Sequence, residues 1–369
     1  MKIETFKMER MQSTWENAVE FNLSESGVHP LTLEELLDPE EMDSLRRVRI
    51  GYTQTNGTPG LRNRIAALYP GIGPDQILAT SGSSEANFLL IWSLIEPGDE
   101  VLFELPNYMQ MWGLLRAFGA KVKPFRLREE LRWQPDPDEI RGLVTNKTKL
   151  IVLTNPNNPT GAVLSPESVA AIVEIAAEAG AWILADEVYQ GAELRGARTP
   201  SFFGSYERVL AVSGLSKAYG LPGLRMGWIA GPADLIRKTW PYHDYTTISP
   251  SALSDKLAEI VLSPDKRERV LARTRAILNA NWPILEAWLL KQGVFSFHAP
   301  RAGAIVFVRY NFNVNSTEFV EKLIRNKSVL LVPGDHFEMD RHLRFGFGPE
   351  EPYLKAALAR VEEALKDRK

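Results

Sequence analysis

Short apolar segments alternate with helix-like segments through the middle of the chain, and this alternation restricts the possible folds more than any other feature. The predicted strands are residues 77–80, 100–105, 121–125, 149–154, 182–185, 208–213 and 226–230. Short buried strands that alternate with helices indicate a mainly parallel sheet covered by helices. Polar or glycine-rich clusters directly follow these strands, and ligands bind outside the carboxyl ends of strands in such sheets. The sequence therefore predicts an α/β fold with a single site at that edge.

The strongest chemical signal lies in segment 213–227, with the sequence SGLSKAYGLPGLRMG. Lys217 lies among small residues just after an apolar run, and Arg225 follows between two glycines. Glycine lets a ligand approach the backbone closely, and a guanidinium suits a phosphate dianion. Like charge and desolvation disfavour the ammonium form of a lysine held beside an arginine in a pocket, so its amine becomes a nucleophile for Schiff-base chemistry. An ordinary surface lysine is the alternative.

Composition sets the broad class of the protein. The length of 369 residues indicates two subdomains, because one core rarely serves so long a chain. With 43 Lys+Arg against 46 Asp+Glu and no basic run, we expect no nucleic-acid or membrane partner. The absence of cysteine excludes disulfides, thiolate metal sites and thiol nucleophiles, and we expect no metal site. The charged N-terminus lacks the apolar core of a signal peptide, so we expect a cytoplasmic protein.

Several motifs in one order resemble the class I/II aminotransferase family, pyridoxal 5'-phosphate (PLP)-dependent enzymes of the aspartate-aminotransferase fold, also called fold type I. These motifs are GSS at 82–84, PNY at 106–108, NPNNPTG at 155–161, DEVY at 186–189, the Lys217 segment and LRFG at 343–346. The resemblance covers nearly the whole chain. It implies a large domain with a mainly parallel seven-stranded sheet, and a smaller α+β domain formed by the N- and C-terminal segments. The expected boundaries are 1–45 for the N-terminal segment joining the small domain, 46–250 for the large PLP-binding domain, 251–291 for connecting helices and 292–369 for the small C-terminal domain.

The resemblance also implies roles for residues around the cofactor ring. Lys217 would form a Schiff base with PLP, and Asp186 would keep the ring nitrogen protonated so that the ring accepts electrons. Tyr189 and Asn158 would donate hydrogen bonds to the phenolic oxygen of the ring. Tyr108 would stack on the ring, with core packing as its alternative. Lys217, Asp186 and Tyr189 are the predicted catalytic residues.

The phosphate of the cofactor would be held by backbone N–H groups and hydroxyls at the start of a helix. The predicted phosphate contacts are Ser83, Ser84, Ser216 and Arg225, and Ser84 has an ordinary helix cap as its alternative. Tyr52 resembles the tyrosine that reaches the phosphate of the neighbouring subunit, which implies a homodimer with shared active sites. The serine common in the family three residues before the lysine is replaced by Gly214, which leaves a phosphate contact of Ser213 open.

The substrate would be held by residues outside the Lys217 segment. Arg344 matches the arginine that binds the substrate α-carboxylate with a bidentate fork, and an arginine at a strand edge is the alternative. Asn158 would also contact the substrate. Gly27 matches the glycine of the mobile N-terminal loop that closes on the substrate.

The family implies transfer of an amino group between an amino acid and a 2-oxo acid through Lys217. Two alternatives stay open. The same site can expel a β- or γ-substituent, which would make the protein a lyase or a cyclase; segments 26–29 and 243–248 resemble a branch that includes capreomycidine synthase, a cyclase acting on an arginine derivative. A non-catalytic PLP-binding regulator would carry a DNA-binding module, and we expect none because the fold occupies the chain.

The amino donor is the least determined part of the prediction. Arg344 accounts for one carboxylate, and a dicarboxylate donor needs a second arginine because a buried unpaired carboxylate is unfavourable. The loops that match substrate-facing positions instead contain Val28, His29, Tyr242, His243, Asp244 and Tyr245. We therefore predict that a neutral, aromatic or basic amino acid is a better donor than aspartate.

Overall fold

The N-terminal part of the chain forms short helices and one short strand. In the computed structural model, which describes residues 2–366, these elements are α1 (Lys7–Trp15), β1 (Phe21–Asn22), α2 (Leu33–Leu36) and α3 (Pro39–Arg46). Asp38 begins α3, since its carboxylate accepts a hydrogen bond from the Glu41 amide at 2.8 Å and Pro39 occupies the first turn. Most of this segment therefore folds locally, and its position depends on packing against the rest of the chain.

The central part of the chain forms a sheet of eight strands. In chain order its elements are α4 (Pro59–Ala66), β2 (Ile77–Thr80), α5 (Ser83–Leu94), β3 (Glu100–Leu105), α6 (Gln110–Ala117), β4 (Lys121–Arg128), β5 (Gln134–Pro135), α7 (Pro137–Leu143), β6 (Thr148–Thr154), α8 (Pro166–Ala179), β7 (Trp182–Asp186), β8 (Val209–Gly214), β9 (Gly227–Ala230) and α9 (Ala233–His243). The strand order is β2-β9-β8-β7-β6-β3-β4-β5.

Strand direction in this sheet is mainly parallel. Five strands run parallel to one another, in the order β4, β3, β6, β7 and β8. Strand β9 is antiparallel to β2 and β8, and β5 is antiparallel to β4. The predicted α/β class is confirmed. The two-residue strand β5 makes an eighth strand that the sequence does not signal, because it is too short to show a periodic pattern and contains Pro135.

Both faces of the sheet are covered. Along β6 and β7, Ile151 and Ile183 pack into one apolar cluster, and their neighbours Val152 and Leu184 pack into a second cluster on the other face. Helix α8 covers one face and has clear local limits. Ser165 caps its first turn by accepting from the Ser168 amide at 3.1 Å, and Gly180 ends it with a φ of 63°.

The C-terminal part of the chain begins with two helices separated at Leu262 and Ser263. Its elements are α10 (Ala252–Val261), α11 (Pro264–Gln292), β10 (Phe295–Phe297), β11 (Ile305–Tyr310), α12 (Ser316–Lys327), β12 (Val329–Leu330), β13 (Val332–Pro333), β14 (His342–Gly346) and α13 (Glu351–Lys366). Strands β10-β11-β14-β13 form an antiparallel sheet, and β12 pairs in parallel with β1 of the N-terminal segment. Across the described residues 2–366, every helix is too short or too polar to traverse a bilayer.

Candidate active site

A cavity of about 480 Å³ lies at the carboxyl ends of β6 and β7, whose last residues, Thr154 and Asp186, line it. This is the edge where the sequence predicts a site. Most of the predicted site residues line this one cavity: Ser83, Ser84, Tyr108, Asn158, Asp186, Tyr189, Ser216, Lys217, Arg225 and Arg344. The structure thus brings together side chains from α5, the sheet loops and β14 that are far apart in the chain.

Lys217 lies in the loop after β8 and its side chain is 28% exposed. The loop backbone is fixed, because the Ala218 amide donates to the Val188 carbonyl at 3.2 Å and the Gly220 amide donates to the Lys217 carbonyl at 3.1 Å. The Lys217 Nζ atom lies 3.8 Å from Glu25 Oε2. The amine is therefore held in the cavity and stays accessible to a small ligand.

Asp186 ends β7 as a buried carboxylate with an exposed fraction of 4%. Its Oδ1 accepts from the Val188 amide at 3.2 Å, and its Oδ2 accepts from Asn87 Nδ2 at 3.3 Å. Burial raises the pKa of Asp186 to about 6, while these two hydrogen bonds and the charge of Lys217 oppose that rise. A cationic N–H group of a ligand would stabilise the charged form of this carboxylate.

Arg225 and the N-terminal end of α5 converge on one part of the cavity. Gly82 precedes α5 with a φ of 84°, and a Cβ atom at this position would overlap the Arg225 guanidinium. Arg225 itself has a φ of 46°, a strained value for a residue other than glycine, and its Nη1 donates to Ser216 Oγ at 3.4 Å. Helix α5 has no side-chain cap, so its first N–H groups and the guanidinium together form an anion site.

Arg344 lies on β14 and is only 1% exposed. Its Nη1 donates to Asn158 Oδ1 at 2.7 Å, and its Nη2 donates to the Ser24 carbonyl at 2.5 Å. Among residues 2–366 its buried Nε has no hydrogen-bond partner. Burial lowers the pKa of this guanidinium, and a bound carboxylate would stabilise its charged form.

Two tyrosines complete the cavity wall. The Tyr189 hydroxyl donates to Ser26 Oγ at 2.9 Å, and burial raises the pKa of Tyr189. The Tyr108 hydroxyl donates to Glu9 Oε1 at 2.9 Å, and its ring meets Phe6 edge-on with centroids 5.0 Å apart. Tyr108 thus contacts the N-terminal helix and also lines the cavity. Packing against the protein and stacking on the cofactor ring, the two alternatives from the sequence, are therefore compatible.

Some residues singled out in the sequence lie outside this cavity. Tyr52 is 88% exposed and does not line it. Gly27 lines a neighbouring cavity of about 340 Å³, and a Cβ atom there would lie 3.3 Å from the Ser216 carbonyl oxygen. Ser213 Oγ donates to the Glu187 carbonyl at 3.5 Å, and Ser213 does not line the cavity.

The loop residues expected to face the side chain of the substrate lie elsewhere. His243 is fully buried and contacts Thr247 Oγ1 at 3.0 Å and Glu85 at 3.3 Å. Asp244 and Tyr245 are exposed on the surface. Val28 and His29 line the neighbouring cavity instead.

Sequence reasoning missed the contribution of α1 to the main cavity. Glu9 and Gln12 line it from α1, Glu16 lines it from the position directly after this helix, and Glu25 lines it from the segment after β1. The spacing of 3 and 4 residues places the first three side chains on one face, which is readable from the sequence. The sequence does not show what this face contacts. Asn87, which bonds to Asp186, is also missed because it lies inside the run of α5.

The sequence model of the family described as aminotransferase class I and II matches residues 22–361. The chain belongs to this aminotransferase family. Capreomycidine synthase of Streptomyces vinaceus is 34% identical over 352 residues, which are 93% of this chain and 89% of that protein. A probable aspartate/prephenate aminotransferase of Thermus aquaticus is 28% identical over 87% of this chain and 85% of its own length.

A solved structure of a PLP-dependent aminotransferase has the same fold as this chain. A PLP-dependent aminotransferase from Streptococcus suis superposes with a TM-score of 0.94 at 35% identity, over 100% of this chain and 99% of that chain. The resemblance proposed from the motifs is therefore confirmed, as are the fold of the aspartate aminotransferases and dependence on PLP.

The residues of this aminotransferase-family cavity fit PLP by their chemistry. A phosphate requires an anion site, which Arg225 and the start of α5 supply beside Gly82. A pyridinium nitrogen requires a buried carboxylate, and Asp186 supplies it at the end of β7. An aldehyde requires an accessible amine, which Lys217 supplies in the same cavity.

Proposed function

We propose that this chain is a PLP-dependent transaminase that moves an amino group between an amino acid and a 2-oxo acid. One observation carries the proposal: a single cavity contains Lys217 together with two separate arginines, Arg225 at the start of α5 and Arg344 on β14. The first arginine suits the phosphate of the cofactor, and the second suits the carboxylate that every amino acid and every 2-oxo acid carries.

The residues around the cofactor would act by position and charge. PLP, when bound, supplies an aldehyde that condenses with amines and a ring that accepts electrons. We assign the ring nitrogen to Asp186, the phenolic oxygen to Tyr189 and Asn158, and the ring face to Tyr108. The phosphate is assigned to Ser83, Ser84, Ser216 and Arg225, in keeping with the anion site beside Gly82.

Lys217 would carry the proton. Once the amine of the donor has replaced it on the cofactor, Nζ of Lys217 would be the base that accepts the α-proton and the acid that returns a proton, and water would then release the 2-oxo acid. Arg344 would hold the substrate carboxylate with its unpartnered Nε and an adjacent Nη, because a planar guanidinium binds a carboxylate through two N–H groups. Asn158, already bonded to Arg344 at 2.7 Å, would orient this fork.

A product analysis tests the proposal. The PLP-loaded protein is incubated with a panel of amino acids, with and without pyruvate or 2-oxoglutarate. Transamination predicts equal amounts of the 2-oxo acid from the donor and the new amino acid from the acceptor. Consumption of the donor without an acceptor, with release of ammonia or formation of a cyclised amine, would contradict it.

A lyase or cyclase is the second candidate. It is favoured by the similarity to capreomycidine synthase, because that relative shares the same family and nearly the full length of this chain. The cavity residues assigned above would serve either reaction, since both begin with removal of the α-proton by the same lysine. The same incubation therefore distinguishes the two reactions by their products.

We also propose that the active unit is a homodimer. Tyr52 is a prominent exposed aromatic residue, and Ile50 beside it is 86% exposed. A second copy that covered this surface would bury both side chains and could place Tyr52 at the phosphate of its neighbour. Sedimentation of the loaded protein should show a dimer at assay concentration, and an active monomer saturated with PLP would contradict this assignment.

A further inference from the structure

The wall of the main cavity formed by the N-terminal segment is acidic. Glu9 lies on α1, Glu16 directly follows this helix, and Glu25 joins them from the segment after β1. We call these three residues the acidic wall. All three line the cavity that contains Lys217, so they border the space in which a ligand of Lys217 would bind.

Within residues 2–366 the acidic wall has few partners of its own. Glu9 accepts one hydrogen bond from the Tyr108 hydroxyl, and Glu25 has Lys217 Nζ at 3.8 Å. Among the described residues, Glu16 has no ion pair within 4.0 Å, and its carboxylate accepts no hydrogen bond. Burial raises the pKa of Glu16, and the nearby charges of Glu25 and Glu9 add to that rise. The three carboxylates repel one another in the absence of a ligand.

The cations of the cavity are already assigned. Arg225 belongs to the phosphate, Arg344 to a carboxylate, and Lys217 to the aldehyde of the cofactor. Lys217 is the main cause of the lowered pKa of Glu25, and covalent attachment to the cofactor removes its free ammonium group. In the loaded protein Arg344 is then the lining cation whose charge still lowers the pKa of Glu25, and its guanidinium is assigned to the substrate carboxylate. Glu16 keeps no cation of its own among the lining residues.

Arg344 provides an independent observation that points to the ligand. It is 1% exposed, lines the same cavity and keeps its Nε without a partner among residues 2–366. A buried unpaired guanidinium N–H favours an anion, whereas the acidic wall favours a cation. A ligand that satisfies both carries a carboxylate near Arg344 and a positive charge further along its chain.

We propose that the site selects an amino donor whose side chain ends in a cation, an ammonium or a guanidinium, held by Glu16 and Glu25. This inference rests on the proposed function for the α-amino group, because the donor must also react at Lys217. It narrows the predicted neutral, aromatic or basic donors to the basic class. It also excludes dicarboxylate donors, whose second carboxylate would face three like charges.

The first test measures binding without turnover. The PLP-loaded protein is titrated calorimetrically with δ-guanidinovaleric acid and with its neutral isostere δ-ureidovaleric acid, which both lack the amino group. A second pair, ε-aminocaproic acid and hexanoic acid, tests the ammonium in place of the guanidinium. We expect at least one cationic compound to bind about tenfold more tightly than its neutral partner.

Substitutions then assign this preference to the acidic wall. Glu16→Gln and Glu25→Gln keep the shape of the side chain and remove its charge, so each should reduce the preference for the cationic compound several-fold. Glu20→Gln is the matched control, because Glu20 is exposed and ion-pairs with Arg360 at 3.3 Å outside the cavity. The control should keep the full preference.

The outcomes separate this inference from the proposed function. Equal binding of cationic and neutral compounds in both pairs, or a preference that survives both Gln substitutions, would overturn the inference and leave transamination untouched. Preferential binding of the cation, lost in the variants, supports the inference even if the basic amino acid then yields ammonia or a cyclised product. In that case the proposed function fails and the choice of ligand stands.

Discussion

The two ends of the cavity are built in different ways. The cofactor end consists of Ser83, Asp186, Lys217 and Arg225, which lie at the ends of strands of one sheet or in the loops beside them. The acidic wall comes from a helix and a short segment near the N-terminus that pack across the cavity. The reaction and the choice of donor therefore depend on separate parts of the chain. The two ends meet where Lys217 lies 3.8 Å from Glu25 and where Tyr108 bonds to Glu9. Changes away from these two contacts should leave the other end intact.

The largest expected effect is that of Lys217→Ala. Removal of the amine takes away both the covalent attachment of the cofactor and the group that carries the proton. We therefore expect kcat to fall by about a hundredfold to ten-thousandfold. The absorbance of cofactor joined to the protein should also disappear. Lys121→Ala is the control, since Lys121 is exposed at the start of β4. A variant that completes one turnover at the wild-type rate would contradict the role of Lys217.

Arg225→Ala should weaken the cofactor end alone. The variant leaves a partly desolvated phosphate without one charge-assisted pair, which we expect to reduce PLP binding by ~2–5 kcal/mol. Preference among amino donors at saturating PLP should not change. Arg64→Ala, on an exposed part of α4, serves as control. Unchanged PLP affinity in the Arg225 variant would show that the phosphate lies elsewhere.

Behind the cavity lining, a buried carboxylate bonded to Thr154 should affect stability through its charge. Glu104 lies on β3 and its Oε1 accepts from the Thr154 amide at 3.2 Å and from Asn157 Nδ2 at 2.7 Å. Burial raises its pKa from 4.5 to about 8. The folded protein thus keeps a proton that the unfolded chain has released. The stability due to this group is complete below the unfolded pKa and is lost as pH rises through about 8.

Glu104→Gln removes this pH dependence. We expect the Tm of the variant, relative to the wild type, to increase between about pH 6 and about pH 8, because the wild type loses up to about 1.4 kcal/mol per pH unit from this group. Glu96→Gln, an exposed carboxylate before the same strand, should show no such trend. A constant difference in Tm across this range would mean that Glu104 is charged in the folded protein at neutral pH.

The smallest expected effect belongs to the other end. Gln12 lies between the carboxylates of α1 and donates to the Ser24 carbonyl at 3.2 Å and to Ser24 Oγ at 3.0 Å, which holds α1 against the segment that carries Glu25. Gln12→Ala should raise KM for the donor several-fold, since such a pair of hydrogen bonds contributes ~1 kcal/mol. PLP affinity should stay the same. Thr14→Ala, exposed on the same helix, is the control, and an equal loss of PLP affinity would break the separation of the two ends.

The difference between the two ends also decides what the sequence could predict. Lys217, Asp186 and Asn158 were found because each occupies a short motif directly after a strand, and the parallel sheet brings strand ends together. The limits of α8 were found for a similar local reason, since Ser165 and Gly180 act through their own backbone neighbours. Local chemistry therefore predicted the fold class and the edge of the sheet that carries the site, and the family resemblance predicted the roles of the residues at the cofactor end.

The rest depends on packing between distant segments. The face of α1 that carries Glu9 and Glu16 is visible in the sequence, but its contact with the cavity arises only when the N-terminal segment packs over the sheet. His243 was expected near the substrate, yet the fold buries it beside Glu85, where it links α9 to α5. The role of Tyr52 requires a second copy of the chain. In all three cases, a short motif does not show which distant segment or second copy the residue contacts.

The most direct measurement for the central claim is reduction of the PLP-loaded protein with borohydride, followed by mass spectrometry of its peptides. The account predicts that one pyridoxyl phosphate is fixed to the peptide that contains Lys217, and that a basic amino donor added before the reductant protects this lysine. Modification of another lysine, such as Lys7 on α1 or Lys266 on α11, with Lys217 left free, would contradict the account.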